Sequence, residues 1–317
     1  MKIYLIGTGP MAIEYAKVLT HMNLNVIVIG RGIDSANNFK EKTGLHVEVG
    51  GFSKYCNENV IDADGIYIIA TGTEVLMSIL LLVQKLIPKA ILVEKPAAIS
   101  PNELLENAEI LKEIQDITFV AYNRRYYESV TLAKKLIEED GGLTSFHFDF
   151  TEWSHKIDPL HKAAGVKENW LFANSTHVID LAFFLGGLPE KLSSYSRAGN
   201  IEWHEKSQFV GAGVSNNNIP FSYHSNWESA GRWGVFLYTN KRKFILEPLE
   251  DLSIQERGQL SCQKVYDQNK SNSKFKPGLF KMIEMFINSV DDLLLPSLKT
   301  HINFTSRYYS SIISNNN

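Results

Sequence analysis

Cysteine is nearly absent: Cys56 and Cys262 are the only two in 317 residues, too few for a disulfide scaffold or a four-thiolate metal site. A basic excess is missing as well. Thirty-two Lys and Arg stand against 35 Asp and Glu, a formal charge of -3, which excludes a dominant electrostatic role on nucleic acid or anionic lipid. Long hydrophobic runs are missing too. The longest apolar segment, Val75 to Val83, is interrupted by Ser78 and is about half of what a bilayer crossing needs. Met1-Lys2 is followed by only Ile3 to Ile6 before Gly7, with Glu14 soon after, an apolar stretch too short for a secretory core segment. Without such a signal, the glycosylation patterns at Asn174-Ser175-Thr176 and Asn303-Phe304-Thr305 carry little meaning. A reduced, cytoplasmic protein is the expectation. What is present is ordinary for a globular chain: 44% apolar and 21% charged residues argue against wholesale disorder, and the length fits about two domains.

Two periodicities alternate over the first 120 residues. Lys2 to Ile6, Asn25 to Ile29, His46 to Val49, Gly65 to Ala70, Ala90 to Val93 and Thr118 to Ala121 read as short strands, several of them continuously apolar, as strands buried on both faces are. Between them, Pro10 to His21, Ser35 to Thr43 (closed by Gly44), Glu74 to Leu86 and Pro101 to Gln115 (behind Ser100 as cap) read as helices. This alternation predicts a doubly wound parallel sheet. After about residue 122 the pattern changes. A helix at Ser129 to Glu139 leads through Gly141-Gly142 into strands at Leu143 to Thr151, Lys191 to Arg197, Gln208 to Val214, Phe221 to Trp227, Gly234 to Thr239 and Lys243 to Leu246. Helices at Asn174 to Leu185 and Gly278 to Val290 accompany them, with loops at Asp267 to Lys276 and in the Asn-rich tail. The expected class is α/β, with the parallel sheet followed by an α+β domain built on a large open, mostly antiparallel sheet.

Gly7-Thr8-Gly9-Pro10-Met11-Ala12 joins the first strand to the first helix. Gly7 permits the tight turn, Gly9 lets the backbone approach a pyrophosphate, and small Ala12 lets the helix pack close to the sheet. The helix start adds free N–H groups and a positive dipole end, so a dinucleotide is expected here. Where an NAD-preferring fold usually carries Asp or Glu, after the second strand, this chain has Gly30-Arg31-Gly32. An arginine suits a ribose 2′-phosphate, so NADP(H) is expected over NAD(H). A solvated arginine on a glycine-rich turn is the plainer alternative.

Ala90 to Val93 ends in Glu94-Lys95-Pro96, at the sheet edge where doubly wound folds bind ligands. A lysine there can hold a substrate hydroxyl and favour its alkoxide-like form. Downstream follow Tyr122-Asn123-Arg124-Arg125-Tyr126 and His177-x-x-Asp180. This ordered set resembles the glucose-fructose oxidoreductase / inositol dehydrogenase / MocA family of NAD(P)-dependent oxidoreductases, over nearly the whole chain. The resemblance implies a Rossmann domain over 1–121 and a substrate-binding and oligomerisation domain over 122–317, with a homodimer or homotetramer formed through the open sheet. It implies hydride transfer between nicotinamide and a secondary hydroxyl or carbonyl of a sugar or sugar derivative, nucleotide-linked sugars included. Lys95 matches the family's catalytic lysine and His177 its general acid/base. Asp180, one helical turn on, is expected to orient or charge-stabilise the imidazole, unless the two are merely a buried structural pair. With Glu94 and the glycine turn, Thr71, Gly72 and Thr73 are candidate cofactor contacts.

Arg124 and Tyr126 are candidate substrate contacts by the same resemblance. The family often has an aspartate four residues before the histidine. Ala173 stands there, so Asn174 is the candidate substitute. Leu76 likewise stands where a histidine is common. Trp153, in Glu152-Trp153-Ser154-His155, and the pairs Asn226-Trp227 and Arg232-Trp233 offer aromatics beside polar groups, which suits a sugar face. His155 and His161 straddle Pro159 without ligand spacing, so no zinc site is expected. Two other readings share the fold: an NAD-assisted glycosidase or lyase, and a non-catalytic dinucleotide sensor.

Overall fold

The computed structural model describes residues 2–62, 64–86, 88–270, 274–288 and 294–314. The chain forms two compact units, one of residues 1–122 with 274–303 and the other of 123–273 with 304–317.

In the first unit, β1 (Ile3–Ile6), β2 (Val26–Gly30), β3 (Val47–Val49), β4 (Ile66–Ile69), β5 (Ala90–Val93) and β6 (Thr118–Val120) make one sheet in the order β3-β2-β1-β4-β5-β6. All five pairings are parallel. β1, β4 and β5 are buried along their full length, which is why they read as unbroken apolar runs rather than alternating ones. The helix Pro10–His21 starts on a proline in its first turn, where the missing N–H costs nothing. The helix Ile33–Thr43 stops at Gly44, at φ +75°, the left-handed stop that glycine adopts cheaply. Ser100 caps the next helix, its Oγ accepting from the Glu103 N–H at 3.1 Å.

That helix ends early. Pro101–Glu106 is α-helical and a 3₁₀ turn follows at Lys112–Ile114, not one helix to Gln115. Asn107 and Gln115 donate their side-chain amides to the carbonyls of Glu103 and Ala108, and such local bonds compete with helix continuation. A short helix at Phe52–Glu58, opened by Gly51 at φ +86°, was not anticipated.

Residues 274–303 complete this unit, a return that a division at residue 121 does not contain. The helix Leu279–Asn288 buries Leu279, Met282, Ile283 and Phe286. His21 meets Phe275 and Phe280 at ring distances of 5.2 and 5.9 Å. The edge of β6 is covered as well: Val120 N–H donates to Pro296 O at 3.0 Å, and Phe119 bridges Ser297, which leaves no open template there for another strand. The last expected residues of this helix, to Val290, and the Asn-rich tail lie outside the described residues.

The second unit has one eight-stranded sheet, from β7 (Ser145–Asp149), β8 (Pro189–Arg197), β9 (Gln208–Ser215), β10 (Pro220–Asn226), β11 (Gly234–Tyr238), β12 (Arg242–Leu246), β13 (Leu252–Glu256) and β14 (Gln263–Tyr266). The order is β14-β13-β12-β11-β7-β10-β9-β8, and only β7 with β10 is parallel. β13 and β14 were not anticipated. β14 is almost wholly exposed, so it carries no apolar signal. One face of the sheet is covered by the helix Thr176–Gly186, whose Phe183 meets Phe146, Phe148, Phe221 and Tyr308 at 5.1 to 6.2 Å in this aromatic core. Gly186 sits where any Cβ would collide with the Phe146 ring. The other face is open, with Tyr195 and Val210 paired and exposed on it. The described helices include none long and apolar enough to cross a membrane.

Candidate functional site

In the first unit the carboxyl ends of β1, β4 and β5 lie side by side at the point where strand order reverses, the ligand crevice of doubly wound sheets. Each contributes a turn. Gly7 is at φ +125°, and a Cβ there would run into the Ala70 carbonyl, so glycine is required by the approach of β1 to β4. Gly9 is different. Its backbone is extended, and a Cβ built on it would meet nothing within 4 Å. The protein's own packing therefore does not require glycine at 9. Open space beside a helix start is what a dinucleotide pyrophosphate needs, so the residues present fit that group. Pro10, Met11 and Ala12 form the first turn of the helix.

Thr8 is buried and donates to Ser35 Oγ at 3.0 Å, while Ser35 donates to Gly32 O at 3.0 Å. These bonds tie the β1 turn to the β2 turn. Arg31 stands exposed on the β2 turn and forms no ion pair among the described residues. Thr71, Gly72 and Thr73 follow β4, with Thr73–Val75 in a 3₁₀ turn. Leu76, beyond them, is fully buried core.

The β5 turn is held from two sides. Glu94 N–H donates to Ile69 O at 2.9 Å, and Tyr15 Oη donates to Glu94 Oε1 at 2.7 Å. Burial, then the carboxylate beside it, pushes the Tyr15 phenol well above its usual range, so it stays a donor. After Lys95 the peptide to Pro96 is cis. The fully buried imidazole of His301 bonds Pro96 O through Nε2 at 2.9 Å. His301 comes from the helix Leu298–Phe304, an element outside the expected helices.

In the second unit, His177 lies in the first turn of the helix Thr176–Gly186, after a π turn at Leu171–Ser175, and is 8% exposed. Asp180 is not its partner. Both Asp180 oxygens accept from Arg125, Nε to Oδ2 at 2.8 Å and Nη2 to Oδ1 at 2.5 Å, in a pair that is almost fully buried. The expected role of Asp180 on the imidazole is thereby corrected. Three residues turn a helix by about 300°, and the nearest buried cation captures the carboxylate. Arg125 is accordingly a structural ion-pair partner, while Arg124 is half-buried. Tyr126 is buried, 6% exposed, in the 3₁₀ turn Asn123–Tyr126.

Asn174 is also committed within the protein, its Nδ2 donating to Glu152 Oε1 at 2.9 Å. Ser175 Oγ donates to the same oxygen at 2.8 Å, and Arg232 Nη1 reaches Glu152 Oε2 at 3.1 Å. Glu152, buried just beyond β7, was overlooked as a site residue. Burial raises its carboxyl above the ordinary value, against the pull of Ser175, Arg232 and Asn174. A carboxylate that the histidine helix lacks at 173 thus arrives from another element and fixes the turn before His177. Around it lie aromatics. The Arg232 guanidinium sits 4.5 Å from the Trp233 ring and 4.9 Å from the exposed Trp153 ring. The Trp233 ring also lies 6.1 Å from the His177 ring.

The first unit is a Rossmann-type parallel sheet with open space beside its glycine turn, and the second is built on a mostly antiparallel eight-stranded sheet. No family model matches the chain, and no curated protein matches it. Among solved structures, levoglucosan dehydrogenase in complex with NADH is similar at a TM-score of 0.77 and 18% identity, over 99% of this chain and 96% of that one. A dehydrogenase from Chromobacterium violaceum gives 0.76 and 15%, over 99% and 94%. An oxidoreductase from Agrobacterium radiobacter, in complex with NAD+, L-tartaric acid and magnesium, gives 0.74 and 12%, over 99% and 97%. At these identities the likeness establishes the fold.

Proposed function

We propose that this protein is an NAD(P)-dependent oxidoreductase of the glucose-fructose oxidoreductase / inositol dehydrogenase / MocA type, interconverting a secondary hydroxyl and carbonyl on a sugar or sugar derivative. The observation that carries the reading is the β5 turn. Lys95 follows β5, on a segment fixed through Glu94 by Tyr15 and through Pro96 by His301, one strand beyond β4 from the β1 turn that Gly9 leaves open. A lysine on a segment held this firmly can be presented to charge developing at oxygen. When bound, the nicotinamide supplies the hydride chemistry. Gly7, Thr8, Gly9, Pro10, Met11 and Ala12, with Thr71, Gly72, Thr73 and Glu94, would hold the nucleotide.

The chain's own groups then divide the remaining work. The Lys95 ammonium stabilises the alkoxide-like oxygen, and His177 takes or returns the hydroxyl proton. Trp153, Arg124 and Tyr126 contact the substrate. Asn174, tied to Glu152, shapes the turn that presents His177. NADP(H) is the favoured cofactor, because Arg31 offers an uncommitted guanidinium at the end of β2. Neighbours of this fold bind NADH with levoglucosan or with L-sorbose, which supports a carbohydrate-like substrate. Self-association through the open sheet face is part of the same reading.

The test is absorbance at 340 nm with NADP+ or NAD+ and a carbohydrate panel, on wild type, Lys95→Met and Arg31→Ala. Loss of turnover in Lys95→Met with retained nucleotide binding is expected, along with a drop in NADP+ affinity alone in Arg31→Ala. Full turnover in Lys95→Met refutes the reading. A tightly held nucleotide that never exchanges during turnover would favour a lyase or glycosidase cycle instead.

A further inference from the structure

Three guanidiniums gather near His177, and two are neutralised. Arg125 is paired with Asp180 and Arg232 with Glu152. Arg124 is not. Among the described residues no carboxylate lies within ion-pair range of it, and its guanidinium donates to no acceptor. Its Nε is shut away from water without a partner, which leaves the two terminal nitrogens as its open donors. The side chain is not loose. Its guanidinium carbon lies 5.0 Å from the Trp233 ring centre and 6.0 Å from the Tyr127 ring centre, within cation–π range of both. Trp233, 93% buried by its 7% exposure, also has an indole N–H with no acceptor. The ring that carries Arg124 is the one beside His177.

Cancelling the two ion pairs leaves one permanent positive charge, held by aromatic walls and presenting only donors. A neutral sugar would satisfy neither the charge nor the planar fork. An acceptor-only anionic group would satisfy both, since guanidinium bonds to carboxylate or phosphate are charge-assisted and can be bidentate. We infer that Arg124 is a specificity-determining residue and that the substrate is an anionic carbohydrate, carrying a carboxylate or a phosphate that the Arg124 guanidinium binds. This rests on the oxidoreductase reading above and adds the chemical class of its substrate.

The test uses full-length protein saturated with NADPH and titrated calorimetrically with matched sets: D-glucose, D-glucuronate and D-glucose 6-phosphate, and the galactose counterparts. At least one anionic member should bind about 30-fold more tightly than its neutral partner, a preference that shrinks as salt is raised. The uronate and phosphate arms distinguish the two anionic groups. Arg124→Gln should bring the ratio to within about twofold of one, and Arg124→Lys should keep part of it. Unchanged melting temperature and NADPH affinity in both variants would show that the fold and the nucleotide turn are intact. The inference is overturned if no anionic member binds more tightly than its neutral partner, or if the preference survives in Arg124→Gln. Failure of the broader reading looks different. Lys95→Met would then turn over substrate like wild type, whatever Arg124 does to binding.

Discussion

The turn at Gly7 and the turn before His177 are built by opposite means. The first is backbone: one glycine at positive φ against the Ala70 carbonyl, a second glycine with empty space beside it, and a proline opening the helix. The second is side chain: a buried Glu152 gathering Asn174, Ser175 and Arg232, with Asp180 locked on Arg125 nearby. A backbone site is encoded in adjacent residues and tolerates almost no change at its closest approach. A side-chain site is encoded in residues far apart and fails through the charges left behind. The difference predicts different failures on mutation.

The largest effect belongs to the chemistry itself. Lys95→Ala should lower kcat by about 100- to 10,000-fold, measured by stopped-flow absorbance, while the dissociation constant for NADPH changes little. Next is the buried pair. Asp180→Asn leaves Arg125 charged and uncompensated, at a cost of about 3–5 kcal/mol, seen in chemical denaturation of the second unit. Asp180→Asn protein that still folds should keep a pH–rate profile like the wild type, because the carboxylate does not touch His177. A shifted profile would reopen the catalytic role.

The glycine pair sharpens the comparison further. Gly7→Ala combines a backbone clash with strained φ and should destabilise by about 2–4 kcal/mol. Gly9→Ala should stay within about 0.5 kcal/mol of wild type, yet bind NADPH about tenfold more weakly. Calorimetric melting with nucleotide titration separates the two. Equal behaviour of both variants would erase the distinction drawn between them.

The smallest effect is a pH dependence in the second unit. Burial holds His204 below its ordinary 6.5, so as pH falls the unfolded chain takes up the proton first. The stability that neutral His204 contributes is present above about pH 6.5 and is lost as pH drops below it. Denaturation between pH 7.5 and 5.5 should show this slope, and His204→Gln should flatten it.

These contrasts also explain what could be read in the chain. The parallel sheet was legible because β1, β4 and β5 are unbroken apolar runs and because the glycine turn is contiguous. Lys95 stood out for the same reason, at the end of such a run. Its supports did not: Tyr15 lies 79 residues from Glu94, and His301 lies 205 from Pro96. Asp180 was misassigned because helical spacing alone says which residues are near, not which cation is nearer. Arg125, 55 residues away, took the carboxylate. Glu152 stood in a segment noted for its tryptophan, and its partners lie 22, 23 and 80 residues on. Where function depends on side chains meeting across the fold, local pattern names the participants without pairing them.

The central claim is that the turn left open at Gly9 seats a dinucleotide whose nicotinamide is served by the lysine after β5. A crystal structure of the protein with NADPH tests it directly. The account predicts the pyrophosphate on the Met11 and Ala12 amides, about 3 Å away, with the nicotinamide at the β5 end beside Lys95. A nucleotide bound elsewhere on the chain, or one with its nicotinamide turned away from Lys95, would contradict it.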